Sequence, residues 1–200
     1  MQYFAKIVLL NLLILFSVEM LYAQQGNVWA FGYHAGLDFN YSPPKPISTI
    51  IHYPNVMGKG AAISSTSISD CRGQILFYGT NAEIYNRFNL LMPHGHLNPE
   101  DGAGTVYIVP FPNDTSKYYY IQQLDGSGTG NHVMGLYYSV VDMTLDSGRG
   151  DVIDTATEIM VNSSTNTFTV IKNKNDIDYW IICPAKYCIR VEYVTNLRIK

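Results

Sequence analysis

Two histidines on either side of a glycine are the first residues in this chain whose spacing could do chemistry. The segment His94-Gly95-His96 could offer two imidazoles to a metal ion, and Asp101 could add a carboxylate. A structural zinc site needs four well-placed ligands, and the glycine leaves the two histidines without rigidity. We therefore interpret the segment as a solvated loop, and the sequence predicts no metal site.

A second candidate is the loop DGSGTGN at residues 125–131, which places oxygen donors at alternate positions as a calcium loop does. The twelfth position of that loop is Leu136, where a helix–loop–helix calcium site needs a bidentate glutamate. The flanking segments are also predicted strands. The sequence therefore favours a connection between strands over a calcium site.

Catalytic groups do not converge on a recognisable constellation. No G-x-S-x-G motif is present, and the remaining histidines are scattered through predicted loops: His34, His52 and His132. The acid pairs Asp142/Asp146 and Asp151/Asp154 lie at strand ends and turns, and we interpret them as turn formers rather than as a glycosidase pair. The sequence predicts no catalytic residue, no cofactor and a protein that is not an enzyme.

Short aromatic and β-branched runs bounded by Gly, Asn, Asp and Ser return along the whole chain. Such runs predict strands, and their regular return is typical of one repeated sheet design. The clearest are ILFY at 75–78, YYYI at 118–121, LYYSVV at 136–141 and YWII at 179–182. Helical periodicity is absent after the first residues, so the predicted fold class is all-β.

The repeated phrase distinguishes two all-β architectures. A turn, an aromatic strand, a polar turn and a second strand recur at intervals of roughly 40 to 60 residues, close to the length of a propeller blade. A sandwich would not need this repetition. We predict a partial β-propeller of roughly three blades, with units at 61–104, 105–157 and 158–200. Residues 89–104 are predicted to be a loop, and 158–161 to begin the third unit.

The first 23 residues have the pattern of a signal peptide. Lys6 precedes an apolar stretch at 7–16, and Ala23 provides the small residue that signal peptidase requires, so we place cleavage between Ala23 and Gln24. The apolar stretch is about ten residues long, whereas a membrane-spanning helix needs roughly 20. The sequence predicts an exported domain at 24–200, in the periplasm, at the cell surface or outside the cell.

Composition limits the partners. Charged residues make up 14% of the chain and the formal net charge is −3, while 16 residues are tyrosine. Nucleic-acid binding requires clustered Lys and Arg, and the 13 Lys and Arg residues of this sequence form no cluster. We therefore expect no nucleic-acid partner, and no membrane insertion once the leader has been removed.

Three cysteines, an odd number, lie in the predicted exported domain: Cys71, Cys183 and Cys188. Cys183 and Cys188 flank a predicted hairpin loop, and an oxidising compartment would allow a disulfide between them. The alternative is two half-buried strand thiols.

Aromatic side chains on strands have two interpretations, a platform on which sugars stack or packing between neighbouring sheets. For Phe77, Tyr119, Tyr138 and Trp180 the repeats favour packing between sheets. Trp29 and Tyr33 lie outside the repeats, and we expect them to be freer to be exposed.

Six phrases along the chain resemble those of a known family. The phrases are NVWAFG at 27–32, AGLDF at 35–39, SD at 69–70 with GQILFY at 73–78, LMPHG at 91–95, GLYYSVVDM at 135–143 and DYWII at 178–182. Together they resemble the N-terminal β-propeller-like region of secreted Bacteroidetes proteins that carry a gliding-motility-associated, type-B sorting domain of the type IX secretion system. No such sorting domain follows in this sequence, so we expect a fragment of a longer cell-surface protein.

The resemblance implies a function in surface interaction. We expect an exported, non-enzymatic binding or adhesion module whose partner is a glycan or another surface protein, with self-association through exposed sheet edges. The alternatives are a carbohydrate-active propeller enzyme, a hydrolase or lyase, and a remnant without function. The segment Asp154-Thr155-Ala156 matches the short O-glycosylation signal of such bacteria, which makes Thr155 a candidate acceptor.

Overall fold

The computed structural model describes residues 25–31, 34–50, 64–97, 104–124, 134–161, 167–174, 178–185 and 188–194. Fourteen strands and one short 3-10 turn, Asp146–Gly148, are formed there. The strands are β1 (Val28–Phe31), β2 (Ala35–Asp38), β3 (Lys45–Ile47), β4 (Ser65–Ser69), β5 (Ile75–Thr80), β6 (Glu83–Asn86), β7 (Leu91–His96), β8 (Val106–Pro110), β9 (Lys117–Leu124), β10 (Gly135–Asp142), β11 (Asp151–Val161), β12 (Thr169–Lys172), β13 (Tyr179–Ala185) and β14 (Cys188–Val194). The prediction of an all-β fold is confirmed.

The strands form four antiparallel sheets, and in each the strands pair in chain order. The first sheet is β1-β2-β3, the second β4-β5-β6-β7, the third β8-β9-β10-β11 and the fourth β12-β13-β14. Each sheet is therefore an antiparallel meander without crossovers.

The sheets pack face to face because their strands alternate in the direction of their side chains. On β9, Tyr118 and Tyr120 pack with Phe77 and Ile84 of the second sheet. The intervening Tyr119 and its neighbour Ile121 pack with Phe168 and Ile181 at the fourth sheet. The third sheet is therefore buried on both faces, and the chain builds a stack in the order first, second, third, fourth.

The first strands of the first three sheets lie beside one another. Strand β4 contacts both β1 and β8, and at the other margin the last strands β7 and β11 contact each other. Small residues in β4 (Ser65–Ser69) allow this close approach.

Two segments differ from the sequence prediction. Residues 91–96, predicted as part of a loop, form β7, and its exposed and buried positions do not alternate regularly, because His94 has a left-handed φ of 52°. Residues 158–161, predicted to begin a third unit, continue β11, which runs unbroken from Asp151 to Val161. A left-handed residue at Ala156, with φ of 48°, produces a bulge that hides this continuity in the sequence.

The first sheet is the other difference. The sequence predicts one strand, within residues 28–33, in a segment outside the repeats, and it predicts a proline loop at 42–46. The structure instead builds a separate three-stranded sheet that includes Pro46 on its edge strand β3, where a missing N–H is tolerated. The predicted signal peptide lies outside the described residues, and within them no helix has the length and hydrophobicity to cross a bilayer.

A candidate interaction face on the first sheet

Strand β1 separates its side chains into a buried set and an exposed set. Val28 and Ala30 are buried against the second sheet, where Ala30 packs with Tyr78 and Tyr85. The alternate residues Trp29 and Phe31 are 54% and 40% exposed. Since successive strand residues point to opposite faces, the two aromatic rings lie on the outer face of the first sheet.

The neighbouring strands extend this outer face with apolar residues. Leu37 of β2 is the cross-strand partner of Trp29, and Pro46 of β3 is the partner of Leu37. Directly paired residues share a face, so the row Trp29, Leu37, Pro46 crosses the whole sheet. The exposed ring of Phe39 follows β2 and contacts Trp29, with 4.7 Å between ring centroids at an interplanar angle of 53°.

We call Trp29, Phe31, Leu37, Phe39 and Pro46 the aromatic face of the first sheet. None of the five carries a charge. Contiguous exposed apolar patches are uncommon on soluble proteins and mark contact surfaces when they occur. The chemistry of this face therefore fits the binding of another apolar or aromatic surface.

Hydrogen bonds fix the aromatic face in place. The indole Nε1 of Trp29 donates to the carbonyl oxygen of Gly26 at 2.8 Å, which holds the ring orientation. Beneath the ring, the Ser67 hydroxyl donates to the carbonyl oxygen of Val28 at 2.9 Å and accepts from the N–H of Ala30 at 3.0 Å. A side chain of β4 thus fastens β1 through its backbone.

A second link joins Asn40, after β2, to the turn between β4 and β5. The side-chain Nδ2 of Asn40 donates to the carbonyl oxygen of Gly73 at 2.7 Å and to Asp38 Oδ1 at 2.8 Å. Gly73 has a left-handed φ of 75°, and a Cβ there would lie 2.2 Å from Asn40 Oδ1. Glycine is required at this contact, which is a second hydrogen-bonded link between the first sheet and the second.

The fourth sheet presents a comparable surface at the other end of the stack. Ile171 and its cross-strand partner Trp180 are 49% and 37% exposed. Their neighbours on the opposite face, Ile181 and Cys183, are buried against the third sheet. We call Ile171, Trp180 and Ile182 the outer face of the fourth sheet.

The predictions for the aromatic side chains are confirmed at most of the described positions and wrong at one. Phe77 and Tyr119 are buried between sheets, and Tyr138 packs at the edge of the same core, as predicted. Trp180 was expected to pack in the same way, but it lies on the outer face of the fourth sheet. Trp29 is exposed as expected, while Tyr33 lies outside the described residues.

The two histidines of β7 contact different carboxylates. His94 Nδ1 lies 3.2 Å from Asp151 Oδ1 on the third sheet, and His96 Nδ1 lies 3.5 Å from Glu83 Oε1 on β6. Asp101 lies outside the described residues. Within those residues, no group of three or more His, Cys, Asp or Glu side chains is placed to hold a metal ion.

Glu83 also connects His96 with a buried tyrosine. The Tyr85 hydroxyl donates to Glu83 Oε2. Burial, together with this hydrogen bond and the charge of Glu83, raises the pKa of Tyr85 far above its ordinary value. A phenol that stays protonated and is already bonded to a carboxylate is a poor general base. We therefore interpret the contacts among Glu83, Tyr85 and His96 as structural.

The acid pair Asp142/Asp146 organises turns, whereas Asp151 and Asp154, also interpreted as turn formers, lie within strand β11. Asp142 Oδ1 accepts from the N–H and hydroxyl of Thr144 at 2.9 and 2.6 Å. Asp146 Oδ1 accepts from Arg149 at 2.7 Å, within the same turn. These contacts agree with the interpretation of both residues as turn formers. The calcium-like loop at 125–131, His52 and His132 lie outside the described residues.

One of the three cysteines lies in a turn of the second sheet, and the other two lie in the β13–β14 hairpin of the fourth sheet. Cys71 is exposed in the turn before β5. In the β13–β14 hairpin, Cys183 is the backbone partner of Arg190, and Cys188 is the partner of Ala185. Cys183 and Cys188 are therefore diagonal neighbours, whose Cα atoms are typically about 7–8 Å apart, beyond the usual disulfide range. A bridge would need the hairpin to shift, and the pairing stays a prediction.

Thr155 lies on the exposed side of the bulge in β11. The adjacent Ala156 N–H donates to the buried Ser139 hydroxyl at 3.1 Å, so the bulge is fixed while Thr155 faces solvent. Its glycosylation stays a prediction, as does cleavage between Ala23 and Gln24, which lie outside the described residues.

No family model, no curated protein and no solved structure matches this chain. A function can therefore be inferred only from the geometry of the described residues.

Proposed function

We propose that the protein is an exported, non-enzymatic interaction module that binds its partner through the aromatic face of the first sheet. The observation that carries the proposal is the exposure of Trp29, Phe31 and Phe39, at 54%, 40% and 39%, on one face of a sheet held by hydrogen bonds. Export is inferred from the leader that ends at Ala23.

Energetics support a binding role for this face. Burial of apolar surface contributes roughly 25 cal/mol for each Å² removed from water, and aromatic rings supply large areas at low entropic cost. The hydrogen bonds from Ser67 and to Gly26 fix the first sheet before a partner arrives. A rigid face loses little conformational entropy on binding.

We further propose that the sheets form part of a β-propeller. The adjacency of β1, β4 and β8 at one margin and of β7 and β11 at the other supports this arrangement, because blades of a propeller surround an axis with their first strands innermost. The first sheet then counts as a blade, in addition to the three units predicted from the sequence.

A glycan is the second candidate for the partner. Trp29 and Phe39 present two tilted rings in contact, and aromatic rings are suitable surfaces for the apolar face of a sugar. A surface protein is favoured over a glycan because the five residues of the aromatic face carry no charge and no hydroxyl. Sugars require polar partners in addition to ring stacking.

The experiment compares binding of purified protein to bacterial cell envelopes and to a glycan array. The test variant is Trp29→Asp, and the matched control is Phe88→Asp, because Phe88 is also exposed, at 60%, but lies on the second sheet. We expect the first variant to lose binding and the second to retain it. Equal binding by wild type and Trp29→Asp would contradict the proposal.

A further inference from the structure

The last strands of the first three sheets are each interrupted. β3 has only three residues, and Pro46 stands at its centre. β7 contains Pro93 and the left-handed His94, and its pairing with β6 shifts register. β11 shifts register against β10 and has a left-handed residue at Ala156. Short strands, prolines and bulges prevent an edge strand from pairing with another chain, so these three edges are poor acceptors of a further strand.

β14, the last strand of the fourth sheet, has none of these interruptions. It pairs with β13 at all seven of its positions, from Cys188 opposite Ala185 to Val194 opposite Tyr179, without a register shift. Its sequence, CIRVEYV, has neither proline nor glycine and is rich in residues that favour strands. Among the described residues, no strand is bonded to its other edge. That edge therefore offers a regular row of backbone donors and acceptors.

The sequence of β14 is complementary to itself. When two copies of this seven-residue strand pair antiparallel over their full length, the central residue, Val191, lies opposite its own copy. Arg190 then lies opposite Glu192 of the partner subunit, and Ile189 lies opposite Tyr193 of the partner subunit. Opposite charges, and pairs of aromatic with β-branched residues, stabilise directly opposed strand positions. The register with the largest number of paired residues is therefore also the register in which the charges match.

We propose that β14 pairs antiparallel with β14 of a second copy of this chain. The two three-stranded fourth sheets then join into one continuous sheet. Because both copies use the same edge, the contact is isologous, and association stops at two chains. The pairing specifies which of the sheet edges serves the self-association that the sequence indicates.

The dimer leaves the aromatic face of the first sheet free, because that sheet lies at the other end of the stack. Each dimer then carries two aromatic faces. A partner displayed repeatedly on a surface can be bound through both faces at once when the spacing matches, which increases the overall affinity without any new contact. The dimer contact adds to the proposed function but does not depend on it, since it involves a different sheet.

Charge reversal at the two opposed positions tests the pairing. In Arg190→Glu, acidic residues face each other twice in the dimer, and in Glu192→Arg basic residues do. The positions across β13 are Cys183 and Ile181, which carry no charge, so neither reversal opposes a like charge within the hairpin. Sedimentation velocity over a range of concentrations is expected to show a dimer for wild type. For each variant the dissociation constant is expected to rise on the order of tenfold.

Two combinations restore the charge match. The double variant Arg190→Glu/Glu192→Arg exchanges the charges within one strand, so that each acidic position again faces a basic one, and it is expected to dimerise as wild type does. An equimolar mixture of the two single variants is expected to form a heterodimer, because one copy presents two acidic residues and the other two basic residues. Recovery by the double variant requires that positions 190 and 192 face each other, as they do in the antiparallel register centred on Val191.

Lys174→Glu is the control, because it makes the same change of charge as Arg190→Glu in an exposed turn of the same sheet, and it is expected to stay dimeric. Far-UV circular dichroism verifies that each variant folds. Hydrogen exchange measured by mass spectrometry needs no substitution: the amides of β14 are expected to exchange more slowly in concentrated than in dilute wild-type protein. Equal exchange at both concentrations would overturn the proposal, even if a variant unfolds.

A wild type that stays monomeric at every concentration would overturn the dimer, and so would assemblies of more than two chains, which a contact that consumes both edges does not allow. Dimers that survive both single reversals, or a double variant that stays dissociated, would contradict the pairing equally. The aromatic face is tested separately. Trp29→Asp is expected to lose envelope binding and remain dimeric, whereas Arg190→Glu is expected to lose the dimer and keep envelope binding that depends on Trp29.

Discussion

The hydroxyl of Tyr120 on β9 donates a hydrogen bond to the carbonyl oxygen of Thr80 on β5, with 2.6 Å between the oxygen atoms. The contact is buried and connects the third sheet to the second across 40 residues of chain. It fixes how two meanders stack, because the donor and the acceptor lie on different sheets. The orientation of the aromatic face at the end of the stack depends on junctions of this kind.

Tyr120→Phe is expected to destabilise the protein by about 1–2 kcal/mol, because a buried carbonyl oxygen loses a donor while the ring is retained. Urea unfolding followed by circular dichroism measures the change. Tyr41→Phe is the matched control, since Tyr41 is 54% exposed and its loss of a hydroxyl should have little effect. Equal stability of Tyr120→Phe and wild type would contradict a structural role for the bond.

The stability of the protein is expected to fall in alkaline solution. Burial raises the pKa of Tyr120 well above 10, and it raises those of Tyr78 and Tyr118 as well. In the unfolded chain these phenols ionise near pH 10, so the unfolded state releases protons first. The stabilisation is complete below about pH 10 and is lost as the pH rises toward the folded-state values.

Urea unfolding at several values between about pH 9 and 11 checks this dependence. Tyr120→Phe removes one of the responsible phenols, so its free energy of unfolding should decrease less steeply with pH than that of wild type. A variant slope as steep as the wild-type slope would show that Tyr120 is not among the groups responsible.

Gly79→Ala is expected to destabilise the junction between the second and third sheets by about 1–3 kcal/mol. A Cβ at Gly79 would lie 2.6 Å from the Glu83 carbonyl oxygen and 2.7 Å from the Tyr120 hydroxyl, and backbone cannot move aside easily. Gly26→Ala is the control, because nothing lies within 4 Å of a Cβ there. Thermal unfolding compares the two, and a midpoint for Gly79→Ala equal to that of the control would refute the close approach.

Ser116→Ala is expected to raise the pKa of Asp114. The Ser116 hydroxyl and N–H donate to Asp114 Oδ1 at 2.6 and 3.0 Å, and with Lys117 they lower its pKa to about 2. The resulting stabilisation is present above the unfolded-state pKa of about 4 and is lost as the pH falls toward 2. An NMR titration of the Asp114 carboxyl measures the shift. Lys117→Gln should also raise the pKa of Asp114, and an unchanged pKa in Ser116→Ala would be contrary to expectation.

Most strands could be predicted from the sequence because their hydrophobic runs and turns are local signals. The predicted runs at 118–121 and 136–141 lie within β9 and β10. β7 could not be found, because Pro93, Gly95 and two exposed histidines have loop chemistry, and pairing with β6 makes it a strand. Of the first sheet, only a strand within residues 28–33 was predicted; β2 and β3 were missed because strands of three or four residues give too little periodicity to recognise.

The candidate face was only partly accessible from the sequence. The position of Trp29 outside the repeats suggested its exposure, and the two-residue spacing of Leu37 and Phe39 is a signal that these side chains share a face. Trp180 was assigned to packing because it follows the same phrase as Tyr119. A strand face is buried only where another sheet packs against it. The local sequence pattern does not indicate whether such a sheet is present.

Hydroxyl-radical footprinting of Trp29 is the most direct test of the central claim, that the aromatic face of the first sheet is the binding surface. The account predicts that Trp29 is oxidised rapidly in dilute protein and becomes protected when the partner is bound, while exposed Phe88 reacts at the same rate in both states. Protection of Trp29 in the dilute, unbound protein, or unchanged oxidation of Trp29 in the complex, would contradict it.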